Sequence, residues 1–198
     1  MQQLKYTPKR DDMSNLVALE HVNLTVPDQE IAIQFYLVGL GLTRDPYMFV
    51  GPENMWANIG NQQFHLPTRP KQKIPGTIGL VVPSLAELNI RLENITPYLE
   101  ETAFKFESGV TGLEITCPWG NQIICSEPKV ELNPMGLGIQ YIKFDVPVGN
   151  SDKIGQFYSS VLQASVQPLE NEKGISVKVG SGQLLQFREK PDKVVPYD

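Results

Sequence analysis

A chain of 198 residues, 41% hydrophobic and 20% charged, can bury a sizeable core as one large domain or two small ones. Its formal net charge of −5 and pI near 5.1 exclude the basic footprint of a nucleic-acid binder and an electrostatic membrane anchor, so small molecules are the expected partners. No apolar run approaches the ~20 residues of a membrane span, and the opening "MQQLKYTPKRDD" has no apolar signal core, so a cytoplasmic location is expected.

Residues 1–16 read as a flexible tail. Residues 21 to 26 then alternate, with His21, Asn23 and Thr25 on one face and Val22, Leu24 and Val26 on the other, as in a half-buried strand. A helix follows: Asp28 caps it, Ile31, Phe35 and Val38 recur at i, i+4 and i+7, and "GLG" stops it at Gly39 to Gly41. Three short strands are expected at about 42–50, 54–60 and 62–67, parted by "GPEN" and "GN".

The same order returns twice. "TIGLVVPSLAELNIRL" opens a second copy, in which Ser84 and Glu87 have the spacing of a capping box and Leu85, Leu88 and Leu92 form the inward stripe. Strands are expected at 103–108, 111–117 and 121–127. Cys117 and Cys125 flank the turn "PWGN" without standing opposite each other, and read as two reduced thiols. After a linker at 129–137, "YIKFDVPVGNSDKIGQFY" opens a third copy. Its helix starts near Ser151 and is expected to bury Ile154, Phe157, Tyr158 and Val161, with strands at 165–170, 173–179 and 182–189 and a tail at 192–198. The Val-Pro junctions at Pro27, Pro83 and Pro147 mark one supersecondary unit, βαβββ, repeated three times. The glycines of "GLG" and "GSG" lack the strand-to-helix context of a phosphate loop, which excludes nucleotide binding by that route.

"LEHVNLTVPDQEIAIQFYLVGLGL", "NIGNQQFHL" and "CPWGNQIICSEP" resemble the vicinal oxygen chelate superfamily, which holds glyoxalase I, methylmalonyl-CoA epimerase, bleomycin-resistance proteins and extradiol dioxygenases. The likeness covers residues 17–128 well and 138–191 more weakly. It implies an α+β fold in which two βαβββ modules, here 17–70 and 74–128, pair into a U-shaped glyoxalase-like sheet around a cleft, with residues 138–191 as a third module.

The resemblance also implies a site. His21 stands at the family's first-strand ligand position and His65 at or next to its last-strand position, where two imidazoles can share a divalent Zn, Fe, Ni or Mn ion. The matching positions are Thr77 and Ile124 in the second module and Tyr141 and Gln186 in the third. Counting from the turn residues Asn61 and Asn121 would match His65 to Cys125 instead. Asn23, Trp56, Asn58 and Glu114 are candidate cleft residues; Glu114 and Glu53 are the two carboxylates that could complete a two-His-one-carboxylate set, although an acid on a strand edge or turn is usually solvated.

Two functions follow from the resemblance. One is a metal-dependent lyase, isomerase or dioxygenase acting on a small molecule with neighbouring oxygens; the other is a metal-free binding protein like the bleomycin-resistance proteins. Because family clefts use modules in pairs, the third module is expected to turn Tyr141, Val177, Val179 and Leu184 toward a second copy in a homodimer.

Overall fold

The computed structural model describes residues 16–48, 51–128 and 136–191. Three βαβββ modules follow one another, and the strands at 54–60, 62–67 and 182–189 form within two residues of the bounds expected. The tails and most of the linker lie outside the described residues.

In the first module β1 is His21–Asn23, β2 Thr43–Arg44, β3 Asn54–Ile59 and β4 Gln62–Pro67. Helix α1 begins on Asp28, whose carboxylate accepts from Glu30 N and Ile31 N at 2.8 and 3.0 Å. It is α-helical over Gln29–Ala32 and π-helical over Ile33–Gly39. The wider turn shifts the buried stripe to Phe35, Tyr36 and Gly39 and leaves Val38 48% exposed, a correction to the inward position expected of Val38. Gly39 permits a close helix crossing, since a Cβ there would lie 2.4 Å from Ile95 Cδ1.

The second module holds β5 (Gly76–Val81), α2 (Leu85–Ile95), β6 (Lys105–Ser108), β7 (Leu113–Thr116) and β8 (Gln122–Ser126). Ser84 caps α2 by accepting from Glu87 N at 3.2 Å, and Leu88 and Leu92 are fully buried. The third holds β9 (Gly138–Pro147), α3 (Ser151–Ser160), β10 (Val166–Pro168), β11 (Gly174–Gly180) and β12 (Gln183–Lys190).

The strands form two sheets, in the orders β1-β4-β3-β2 and β10-β11-β12-β9-β5-β8-β7-β6. The second and third modules therefore share one continuous sheet through antiparallel β5 and β9, with Ile78 opposite Ile142. This corrects the expected pairing of the first and second modules. The reason lies in the first strands: "TIGLVV" is apolar on both faces, as a central strand should be, whereas "HVNLTV" alternates and β1 stays at an edge. At the join, Tyr141 lies over Gly79, where a Cβ would come within 2.0 Å of the tyrosine ring. The first module joins the second through α1 packed on α2, within a core that runs from Val22 and Phe64 to Ile123 and Cys125.

The third module departs from expectation in two places. Val177 and Val179 are buried on the α3 side of the sheet, while Tyr141 pairs with Leu184 on the opposite side, so these four residues form no common face. This removes the argument for a homodimer through the third module, whose first strand already has a partner in β5. Phe157 and Val161, expected inside, are 51% and 58% exposed because α3 packs only its Ile154, Gly155 and Tyr158 side onto the sheet.

Cys117 and Cys125 are buried free thiols, and burial pushes Cys125 up to about 12. Among the described residues no helix is long and apolar enough to cross a membrane.

Candidate functional site

The outer face of the four-stranded sheet gathers five of the six residues singled out from sequence. Strand register does this. Trp56 pairs with His65 and His65 with Asn23 across β3, β4 and β1, while Asn58 pairs with Gln63 and Gln63 with His21 in the next row. The alternating residues Val22, Met55, Ala57, Phe64 and Leu66 point the other way and are buried beneath α1. Glu114 does not join the five: it lies on β7 in the eight-stranded sheet, beside Ile124 of β8.

The two imidazoles flank one indole. Trp56 stacks on His65 with centroids 4.1 Å apart and an interplanar angle of 14°, and meets His21 edge-on at 5.3 Å. Each imidazole has one ring nitrogen bound to a neighbouring oxygen. His21 Nδ1 lies 2.5 Å from Glu20 Oε2, and His65 Nε2 lies 2.5 Å from Asn54 Oδ1. With those nitrogens carrying the proton, the lone pairs of His21 Nε2 and His65 Nδ1 are left for another partner. Burial, and secondarily the neighbouring His21, hold the His65 imidazole below the usual histidine range, which favours the neutral form that ligates. The Trp56 Nε1–H is buried without an acceptor among the described residues. Asp45 lies in the same patch, receiving a 2.8 Å bond from Gln63 Nε2 and held low chiefly by the backbone N–H groups of Met48 and Tyr47.

The chain's own symmetry settles the register left open at the second module. Asn23 pairs with His65, Gly79 with Ile124 and Lys143 with Gln186, so Ile124 and Gln186 hold the position of His65, and Cys125 points into the core. His21 corresponds likewise to Thr77 and Tyr141. The face of the eight-stranded sheet that bears Ile124 and Gln186 therefore has no imidazole. It carries an ionic network instead, in which Lys143 bonds Glu172 at 2.6 Å and Arg188 bonds Asp145 through Nε at 2.7 Å and reaches Glu172 at 3.4 Å.

Glu20, Asn54 and Gln63 were not singled out from sequence. Period-two alternation from Trp56 and His65 marks Asn54 and Gln63; nothing in the pattern marks Glu20.

Among solved structures, the chain is similar to a Bacillus subtilis protein ascribed to the dioxygenases, with a TM-score of 0.59 at 14% identity over 91% of this chain and 66% of that one. It is also similar to glyoxalase I from Zea mays, with a TM-score of 0.56 at 16% identity over 84% and 65%. A variant of the maize enzyme gives 0.57 at 12% identity over 88% and 69%. The fold is that of these glyoxalase I and dioxygenase-ascribed structures. No family model and no curated protein sequence matches the chain. The chain spans about two thirds of the length of these structures, and at such identities the likeness concerns the fold alone.

Whether the first-module face suits the divalent ion expected from the sequence resemblance turns on its donors. The two imidazoles suit it: each has one nitrogen anchored on an oxygen, the arrangement that orients a ligating histidine. The set is short in number, since among the described residues no group of three or more His, Cys, Asp or Glu side chains could hold an ion.

Proposed function

We propose that the His21–Trp56–His65 face is a divalent-metal site and that the chain acts there, as a lyase or isomerase, on a small molecule with two neighbouring oxygens. One observation carries this reading: both histidines of the chain lie on one sheet face beside one indole, each with an anchored nitrogen. His21 Nε2 and His65 Nδ1 would hold the ion. When bound, a divalent ion supplies Lewis-acid polarisation of a substrate oxygen. Within the chain, Glu20 and Asn54 fix the imidazole orientations, and Asn23 and Asn58 lie beside the rings as polar contacts.

A second reading is a metal-free binding protein that holds a planar molecule. The donor count of two and the absence of an imidazole from the larger sheet favour it. Elemental analysis of protein purified without a histidine tag separates the two. The metal reading expects bound ion in the wild type and its loss in both His21→Ala and His65→Ala; ion content unchanged in either variant, or absent after loading with Zn, Fe, Ni or Mn, favours the second.

A further inference from the structure

The second module is not the only neighbour of the first. Gln183 opens β12, and two bulges meet beside it. β11 carries an extra residue, Val179, opposite the step from Leu184 to Gln183, and β9 carries an extra residue, Gln140, opposite the step from Gly79 to Leu80. Bulges re-aim side chains, and here the Gln183 amide leaves the sheet for the first module. Its Nε2 donates to Leu19 O at 2.9 Å and to Ile139 O at 3.0 Å, and its Oε1 accepts from Leu19 N at 3.0 Å. Both N–H groups of the amide are used, and the residue is buried. Gly180 makes room for it, since a Cβ there would lie 2.3 Å from Gln183 Oε1.

Leu19 stands two residues before His21. Its N–H and C=O are held by the third module, whereas Glu20 O accepts from Gln63 N of β4 at 3.1 Å. Glu20 is therefore strung between two anchors, one in each module. Its carboxylate depends on them, because the side chain is 66% exposed, too open for packing to fix it against His21 Nδ1. His65 differs. It and its partner Asn54 lie on β4 and β3, whose ladder is contained within the first module.

We propose that Gln183 is a positioning residue for His21. The third module holds Leu19, Leu19 holds Glu20, and Glu20 keeps the proton on His21 Nδ1, which leaves the Nε2 lone pair available. The His21 half of the site is thereby conditional on the seating of the third module, and the His65 half is not. The identity of the ligand at Nε2 rests on the metal reading; the positioning does not.

The test compares Gln183→Met with Gln62→Met in the metal-free full chain. Methionine keeps the length of glutamine and removes its hydrogen bonds. Gln62 Oε1 accepts from Ile139 N at 3.0 Å, so its loss also cuts a bond between the first and third modules but leaves Leu19 untouched. ¹⁵N spectra of the imidazoles, recorded where both are neutral, read the tautomers. Wild type should carry the proton on His21 Nδ1 and His65 Nε2. Gln183→Met should shift His21 to the Nε2–H form without changing His65, and Gln62→Met should change neither. Given the metal reading, Zn²⁺ affinity should also fall at least ten-fold in Gln183→Met. A wild-type His21 protonated on Nε2, or a His21 tautomer unchanged in Gln183→Met, overturns the proposal. So does an equal change in His65 or in Gln62→Met, because a merely structural role would move these together. Should Gln183→Met fail to unfold cooperatively, Gly180→Ala carries the same test, since its Cβ displaces the amide without deleting it. If the wild type takes up no Zn²⁺ while His21 still responds, the metal reading fails and the positioning stands.

Discussion

Removing the ring from Phe35 and, separately, from Phe157 perturbs one motif position in two environments. Phe35 has no exposed surface and lies against Tyr36 at 4.9 Å and Phe104 at 5.8 Å, where the first two modules meet. Truncating a phenylalanine in a closed core costs about 3–5 kcal/mol through lost transfer energy and the cavity left behind. With α2 and Phe104 fixed around the hole, Phe35→Ala belongs near the middle of that range, about 4 kcal/mol. Phe157 is half exposed, so no closed cavity forms, and half the ring's area at ~25 cal/mol per Å² gives about 1–2 kcal/mol. Urea unfolding followed by circular dichroism should therefore separate the variants by about 2–3 kcal/mol. That gap is a large part of the ~5–15 kcal/mol a domain commands. Losses of equal size, or a larger loss for Phe157→Ala, would refute the placement of the first module on the second and the open face of α3.

Histidine NMR titration should find the midpoint of His65 below 6.5, and His21→Ala should raise it by removing the neighbouring charge. Since the folded value is depressed, His65 favours the folded state above the unfolded value near 6.5, and that contribution is lost as pH falls through the folded value; a wild-type midpoint at or above 6.5 contradicts the burial. At the join of the second and third modules, Gly79→Ala places a Cβ about 2.0 Å from the Tyr141 ring and should cost about 1–3 kcal/mol. Combining it with Tyr141→Ala should cost less than the sum of the two single changes, and strict additivity by denaturation would show that the ring does not lie over the glycine.

The modules were legible because their periods are local. Alternation in "HVNLTV", the Asp28 and Ser84 caps and the Gly- and Asn-containing turns each act within a few residues, and each formed its element. The gathering of Asn23, Trp56, Asn58, His21 and His65 followed from alternation plus the parallel register of β1 on β4. Which modules share a sheet was not legible in that way, since it depends on how two first strands compare: β5 is apolar on both faces and takes β9, while β1 is not. Glu114 was misplaced with the histidines for this reason. Val38, Phe157 and Val161 show a further limit. A helical stripe says which residues can be buried, while a π-turn in α1 and, among the described residues, the lack of a helix over α3 decided which ones are.

The chain has only two histidines, so their four ring nitrogens can be resolved in one ¹⁵N spectrum during titration with Zn²⁺. This tests the shared site most directly. The account predicts that His21 Nε2 and His65 Nδ1 move together and saturate at one equivalent, while His21 Nδ1 and His65 Nε2 keep their protons on Glu20 and Asn54. Coordination of one histidine alone, coordination through the opposite nitrogens, or no change at saturating Zn²⁺ would contradict it.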